Sequence, residues 1–376
     1  MRVEQRRWTA NDGWNGPGEL HNAQLVLAFG STAICEEPER FDEMGKAYPA
    51  ADIVGCSTAG EICGTQVTDN SLVTAAIEFA STTIRSSRVS IDEFQSSFAA
   101  GQALALSLSH EGLVHAIVLS EGLKVNGSEL VKGLASALPP TVSVTGGLSG
   151  DGERFGRTYV IWKGRPERGS IVAIGLYGTT LDVGYASLGG WDPFGPERLI
   201  TKSRHNVLYE LDGKSALELY KQYLGDHAAD LPAAGLLFPL SLRSSDDSTP
   251  VVRTILAVNE AEQSMTFAGD VPEGAYARLM KANFDRLIDG AAGAATVSYQ
   301  AVGSVAPDLA LLISCVGRKM VLRQRVEEEV EGVRDVMGES TILTGFYSYG
   351  EISPFTPSAR CELHNQTMTI TTFSER

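Results

Sequence analysis

The chain has 376 residues, 43% apolar and 20% charged, the proportions of a globular protein with more than one core and not of a disordered one. Its 46 acidic and 31 basic side chains leave a formal charge of −15, which repels phosphate backbones; with no basic run to offset it, nucleic acid is excluded as an expected partner. The polar start MRVEQRRWTANDGWNG lacks a signal-peptide stretch and no segment reads as a membrane span, so a cytoplasmic protein without membrane insertion is expected.

In chain order, QLVLAF at 24–29 predicts a buried strand, 36–48 a helix, and Ile53–Val54 a strand running into the turn GCSTAGEICG. A strand over 71–79 follows. HAIVL at 115–119, a helix over 128–138 with Ser128 as its cap, and a strand at 142–144 before the turn GGLSGDG repeat that order. Strands are then expected at 158–162 and 170–177. The middle of the chain differs: an amphipathic helix over 212–224, strands at 251–258 and 264–267, a loop at 241–250, and a helix over 276–295. The order returns at the end with a strand at 310–316, a helix over 324–337 carrying three acids in its first half, a strand at 341–343, the turn GFYSYGEI, and a final strand over 362–373.

GCSTAGEI at 55–62 lies over GFYSYGEI at 345–352 without a gap, and GGLSGD at 146–151 fits with one position deleted, placing Asp151 near Glu61. The turns share a place after a second strand and before a third, so the pattern reads as duplication. The expected fold is α/β to α+β, with two related domains (24–211 and 212–365) of β-sheet flanked by helices, built from duplicated β-α-β-β units. With no linker between them, the cleft between the domains is a candidate ligand site.

The glycine turns lead to strands and carry acids, so they do not offer a helix N-terminus to a nucleotide phosphate. Glu61, Asp151 and Glu351 can accept backbone N–H bonds and hold their turns, or bind a ligand cation; recurrence favours the first role. Ser57 and Thr58 beside Glu61, and Gly146 and Gly147 before Asp151, belong to the same candidate surfaces. Tyr347 and Tyr349 suit an organic cation or flat cofactor, and Phe346 suits the core. In CVGRK, Arg318 is placed to pair with Glu351 or grip a ligand carboxylate, and Cys315 reads as a buried thiol. His364 and Asn365 sit together on the last strand, with His205 in a second His-Asn pair. The five cysteines form no C-x-x-C pair, so neither a disulfide framework nor a zinc site is expected. No H-E-x-x-H or G-x-S-x-G occurs, and no catalytic residues are assigned.

In order, VGCSTAGEI, GGLSGDG with Phe155 after it, GWDPFGPERLITKSRHNVLYELDGKSALELY, CVGRK, GFYSYGEI and LHNQT resemble the paired FIST N and FIST C domains. The resemblance implies an intracellular sensory module that is not an enzyme, binds a small molecule such as an amino acid, and regulates a signalling partner such as a histidine kinase. Some stand-alone members bind haem and sense nitric oxide, which would make His364 or His205 an axial ligand here. An enzyme with an interdomain site, or a scaffold, are the alternatives.

Overall fold

Leu25, Leu27 and Phe29 enter one hydrophobic cluster and Val26 and Ala28 another, so the strand Leu25–Gly30 is covered on both faces. That is why its sequence is a continuous apolar run and does not alternate. The computed structural model describes residues 1–244, 250–303, 306–355 and 359–376. The strand lies parallel to Asp52–Ser57, reached through the helix Pro38–Ala47, and antiparallel to Ser71–Glu78. The same unit recurs with Leu113–Ser120, helix Gly127–Ala137, Ser143–Leu148 and Ser170–Tyr177. It recurs again with Leu309–Cys315, helix Val326–Met337, Ile342–Ser348 and Met368–Glu375. The described residues therefore contain three modules, each edged by one more antiparallel strand: Arg2–Thr9, Thr83–Ser90 and Leu181–Leu188.

The modules are closed into a ring by short hairpins. The hairpin Glu61–Cys63/Gln66–Thr68 of the first module pairs with the third module's second strand. The third module's hairpin, Gly350–Pro354/Cys361–His364, pairs with the second module. The second module's hairpin, Val160–Trp162/Arg165–Glu167, pairs with the first. In each crossing a glycine faces an isoleucine of the incoming hairpin: Gly55 and Ile161, Gly345 and Ile62, Gly146 and Ile352. A Cβ on these glycines would meet the carbonyl oxygen of Ala28, Leu312 or Val118 at 1.7, 1.8 and 1.8 Å, so only glycine lets the parallel strands approach. Inward-facing residues of the three first strands, such as Leu27, Leu119 and Leu311, share one core with Phe29 stacked on Phe346 at 4.8 Å.

This register corrects the repeat alignment. The glycine-to-isoleucine stretch runs 55–62 and 345–352 in two modules but 146–161 in the other. The position of Glu61 and Glu351 is thus taken by Val160, and Asp151 belongs to a longer loop that precedes it.

Between Leu181–Leu188 and the helix Phe284–Ala301 lies a β subdomain with its own core, from Ile200 to Leu279, around the helix Ala216–Leu224. Two expected elements change here. Tyr276–Lys281 is a strand between Asp192–Arg204 and Leu240–Arg243, and the helix starts only after Asn283, whose side chain caps it by accepting from Arg286 N at 3.3 Å. Sheet pairing on both sides outweighs the helical spacing of this segment. The expected loop at 241–250 begins within the strand Leu240–Arg243, and its residues 245–249 lie outside the described residues. Elsewhere, Asn126 and not Ser128 caps the second module's helix. Ser128 instead accepts from Asp270 N of the subdomain at 3.2 Å. The final strand over 362–373 is two strands, broken at 365–367.

Candidate functional site

The ring brings the three turns together. Ala59 N donates to Tyr347 O at 2.8 Å, Gly150 N to Ser57 O at 2.8 Å, and Tyr349 N to Leu148 O at 3.2 Å, so each turn is bonded to the next. Thr58 donates to Glu61 at 2.5 Å, and Ser71 reaches the other oxygen of Glu61 through its hydroxyl at 2.7 Å and its N–H at 3.1 Å. The third module repeats the pattern: Ser348 donates to Glu351 at 2.7 Å, and Thr367 donates by hydroxyl and N–H at 3.0 and 3.3 Å. Both carboxyls are buried. Burial pushes Glu61 up to about 7 and Glu351 up to about 8, against the hydrogen bonds that favour the anion. These two acids fasten each hairpin to the start of its module's last strand. Asp151 differs: burial raises its pKa, but bonds from Thr32, Arg154, Arg157 N and Gly156 N outweigh this and lower it.

Arg318 does not meet Glu351 at a pocket mouth. CVGRK opens a helix, Val316–Leu322, that turns Arg318 into the protein with no exposed surface. There it pairs with Glu329 at 2.7 Å and donates to Gly189 O at 2.6 Å and Leu287 O at 2.7 Å. Glu329 also accepts from Tyr347 at 2.7 Å and Ser314 at 3.2 Å. Tyr347 is thereby committed to the core, whereas Tyr349 stacks on Phe155 at 4.4 Å and keeps its hydroxyl on Gly152 O at 3.0 Å.

Two large clefts adjoin the turns, and a smaller one of about 300 Å³, with Lys124 and Asn126 in its wall, shares Leu123, Phe155, Leu256, Ala268 and Tyr349 with the first. The first, of about 770 Å³, lies between the ring and the subdomain. The ring supplies Phe155, Tyr349, Cys315, Val316 and Met320; the subdomain supplies Leu236, Thr254, Ile255, Leu256 and Ala268 from the facing side. Leu123, Phe155 and Leu256 are large apolar side chains left exposed along it. Thr254 lines it too, 4% exposed, and its hydroxyl is buried without a hydrogen-bond partner among the described residues. The second cleft, of about 620 Å³, is polar and lies over the turn tips, with Thr58, Glu61, Asp69, Arg154, Lys319 and Arg323 in its wall. Glu153, Val316 and Met320 belong to both.

Of the expected site residues, Cys315 and Tyr349 line the apolar cleft and Thr58 and Glu61 the polar one. Ser57, Gly146, Gly147, Asp151, Arg318, Tyr347, Glu351, His364 and Asn365 line neither. Ser57 donates to Gly150 O at 2.8 Å, and Asn365 is buried with its amide unpartnered among the described residues. Thr254, Glu153, Asp230 and Lys319 were missed; only Lys319, inside CVGRK, carried a sequence signal. Cys315 faces the cleft as a thiol, since burial pushes it far above the ordinary cysteine range.

The histidines do not fit an axial haem ligand at these clefts. His364 is buried, its Nε2 is held 2.7 Å from Ser353 O, and burial lowers it to about 4. His205 lies exposed on the turn between the strands Asp192–Arg204 and Val207–Leu211. None of the six histidines lines either cleft. Among the described residues no group of His, Cys, Asp and Glu is arranged to hold a metal ion, and no helix is long and apolar enough to cross a membrane.

Family models match the chain as a FIST N domain over 24–214 and a FIST C domain over 216–354. A curated relative, "Uncharacterized protein MJ1623" of Methanocaldococcus jannaschii, is 24% identical over 289 residues, 71% of this chain. The match spans 56% of that relative, a little over half its length. Among solved structures, a cyanuric acid hydrolase from A. caulinodans aligns over 100% of this chain and 99% of its own, at 8% identity and a TM-score of 0.35, too low to carry an argument.

Proposed function

The chain belongs to the FIST family and carries both of its domains, and from that premise we propose that it is a non-enzymatic sensor whose small ligand sits in the apolar interdomain cleft. The observation that carries the reading is the cleft itself. It is walled on one side by the ring and on the other by a subdomain with a separate core, so a ligand bridging the walls favours one relative placement of the two bodies. A partner that reads that placement, such as a histidine kinase in the cytoplasm, would receive the signal. The subdomain is held to the ring by an apolar cluster, Leu237 and Met280 against Trp191, Leu287, Val321 and Leu322, and by polar contacts: Arg253 to Leu363 O at 2.9 Å, and Asp270 to Lys132 at 2.7 Å and Asn126 at 2.9 Å. Cys315, the cleft's one thiol, is held in its protonated form by burial.

The test is native mass spectrometry of the purified full chain, exposed to a cell extract, beside Ala268→Trp, which fills the cleft from the subdomain wall. An added small mass on the natural chain that is absent from the variant is expected. The same added mass on both would remove the ligand from this cleft.

A further inference from the structure

The apolar cleft's own wall carries charge of one sign, while Lys124, Arg154, Lys319 and Arg323 line the clefts that adjoin it. Its lining includes Glu153 from the ring and Asp230 from the subdomain, and no lysine or arginine. Both acids are exposed, and neither forms an ion pair among the described residues. They stand on opposite walls, one on the ring and one on the subdomain. The chain's charge of −15 adds to the same field and disfavours an anion. The aromatic plate of Phe155 and Tyr349, the rings 15° from parallel, forms part of the wall and offers a π face to a cation or a flat ring. Thr254 lines the same cleft, and its hydroxyl is buried without a partner among the described residues, a state that costs free energy unless a ligand or water completes it.

Resting on the sensor reading above, we infer that the ligand is an organic monocation: a flat or branched apolar body carrying an ammonium group, with a hydrogen-bonding atom at its inner end. The body lies against Phe155 and Tyr349 and the facing Ile255 and Leu256. The ammonium lies between Glu153 and Asp230, and the inner atom meets Thr254.

Three probes of one shape and different charge test this on the full chain by titration calorimetry: tyramine, its neutral analogue tyrosol, and 3-(4-hydroxyphenyl)propionate. Each carries a phenol that can meet Thr254. Tyramine is expected to bind most tightly and the propionate most weakly. Glu153→Gln with Asp230→Asn should weaken tyramine roughly threefold to tenfold, as exposed charge pairs do, and leave tyrosol unchanged. Ala268→Trp should block both. Equal binding of all three probes, blocked by Ala268→Trp, would overturn the cationic class while leaving the cleft as the ligand site. Binding indifferent to Ala268→Trp would overturn the site as well, and no binding of tyramine would overturn the proposal.

Discussion

Glu61 and Glu351 occupy the same place in two modules, and their environment decides what they do. Each is buried with hydroxyl and N–H donors around it and, among the described residues, has no cationic side chain bonded to it. A cation-binding acid would need access, and neither side chain has it; Glu61 borders the polar cleft but is 1% exposed. Their folded pKa values, about 7 and about 8, lie above the ordinary 4.5, so the folded chain holds protons that the unfolded chain has released. The resulting stabilisation is fully present below about pH 4.5 and is lost as the pH rises through the folded values. Glutamine can point its nitrogen at Thr58 or Ser348 and its oxygen at Ser71 or Thr367, imitating the protonated acid. The double variant Glu61→Gln/Glu351→Gln should therefore match the natural chain near pH 5 and exceed it by pH 9, by on the order of 3 kcal/mol per site. Denaturant melts across that range check it, and parallel pH profiles would contradict it. The glycine, hydroxyl and acid of these turns were legible in the sequence because the same local bonds demand the same letters. Asp151 misled because one deletion aligned it, whereas only strand register shows that Val160 holds the position.

At the scale of elements, the third module is organised by the buried pair of Arg318 and Glu329. Arg318 ties its helix to the start of Phe284–Ala301 through Leu287 and to the segment before the subdomain through Gly189. Glu329 ties the neighbouring helix to the sheet through Tyr347 and Ser314. Two ions this deep persist only because each is matched. Arg318→Met strands the Glu329 charge and should cost about 3–5 kcal/mol, while Arg318→Met/Glu329→Gln should recover a large part of that loss. Chemical denaturation of the two variants decides it, and a double variant less stable than the single would refute the account. The acid run at 327–329 was legible as a helix start favoured by the dipole, but a run of like charges does not say which member turns inward. The apolar cleft was hidden for a related reason. Phe155, Thr254 and Met320 come from segments with no shared period, and topology alone makes them neighbours.

For the whole molecule, closure of the ring sets what can fold alone. The family boundary near residue 215 leaves the first two modules on one side and the third, apart from its edge strand Leu181–Leu188, on the other. It also divides elements that pair with each other. The hairpin Glu61–Cys63/Gln66–Thr68 needs the third module's strand Ile342–Ser348, the strand Leu181–Leu188 needs Met368–Glu375, and the second module's strand Ser143–Leu148 needs Gly350–Pro354. A fragment of residues 1–214 would expose those edges, together with inward residues such as Phe29 and Leu119 that normally meet Leu311 and Phe346. It would also hold only part of the subdomain core, which continues to Leu279. Residues 1–214 expressed alone should therefore be insoluble or lack a cooperative melt. Co-expression with residues 215–376 should restore a soluble complex, because the pairing is spread over two sheets of the ring and the sheet of the subdomain, and no single bond carries it. A monomeric 1–214 fragment with a sharp thermal transition and dispersed amide resonances would show that the ring is not the folding unit. The cleft proposed for the ligand shares this dependence, because its lining combines Leu123, Glu153 and Phe155 from before residue 215 with Thr254, Cys315 and Tyr349 from after it, so neither half holds it complete.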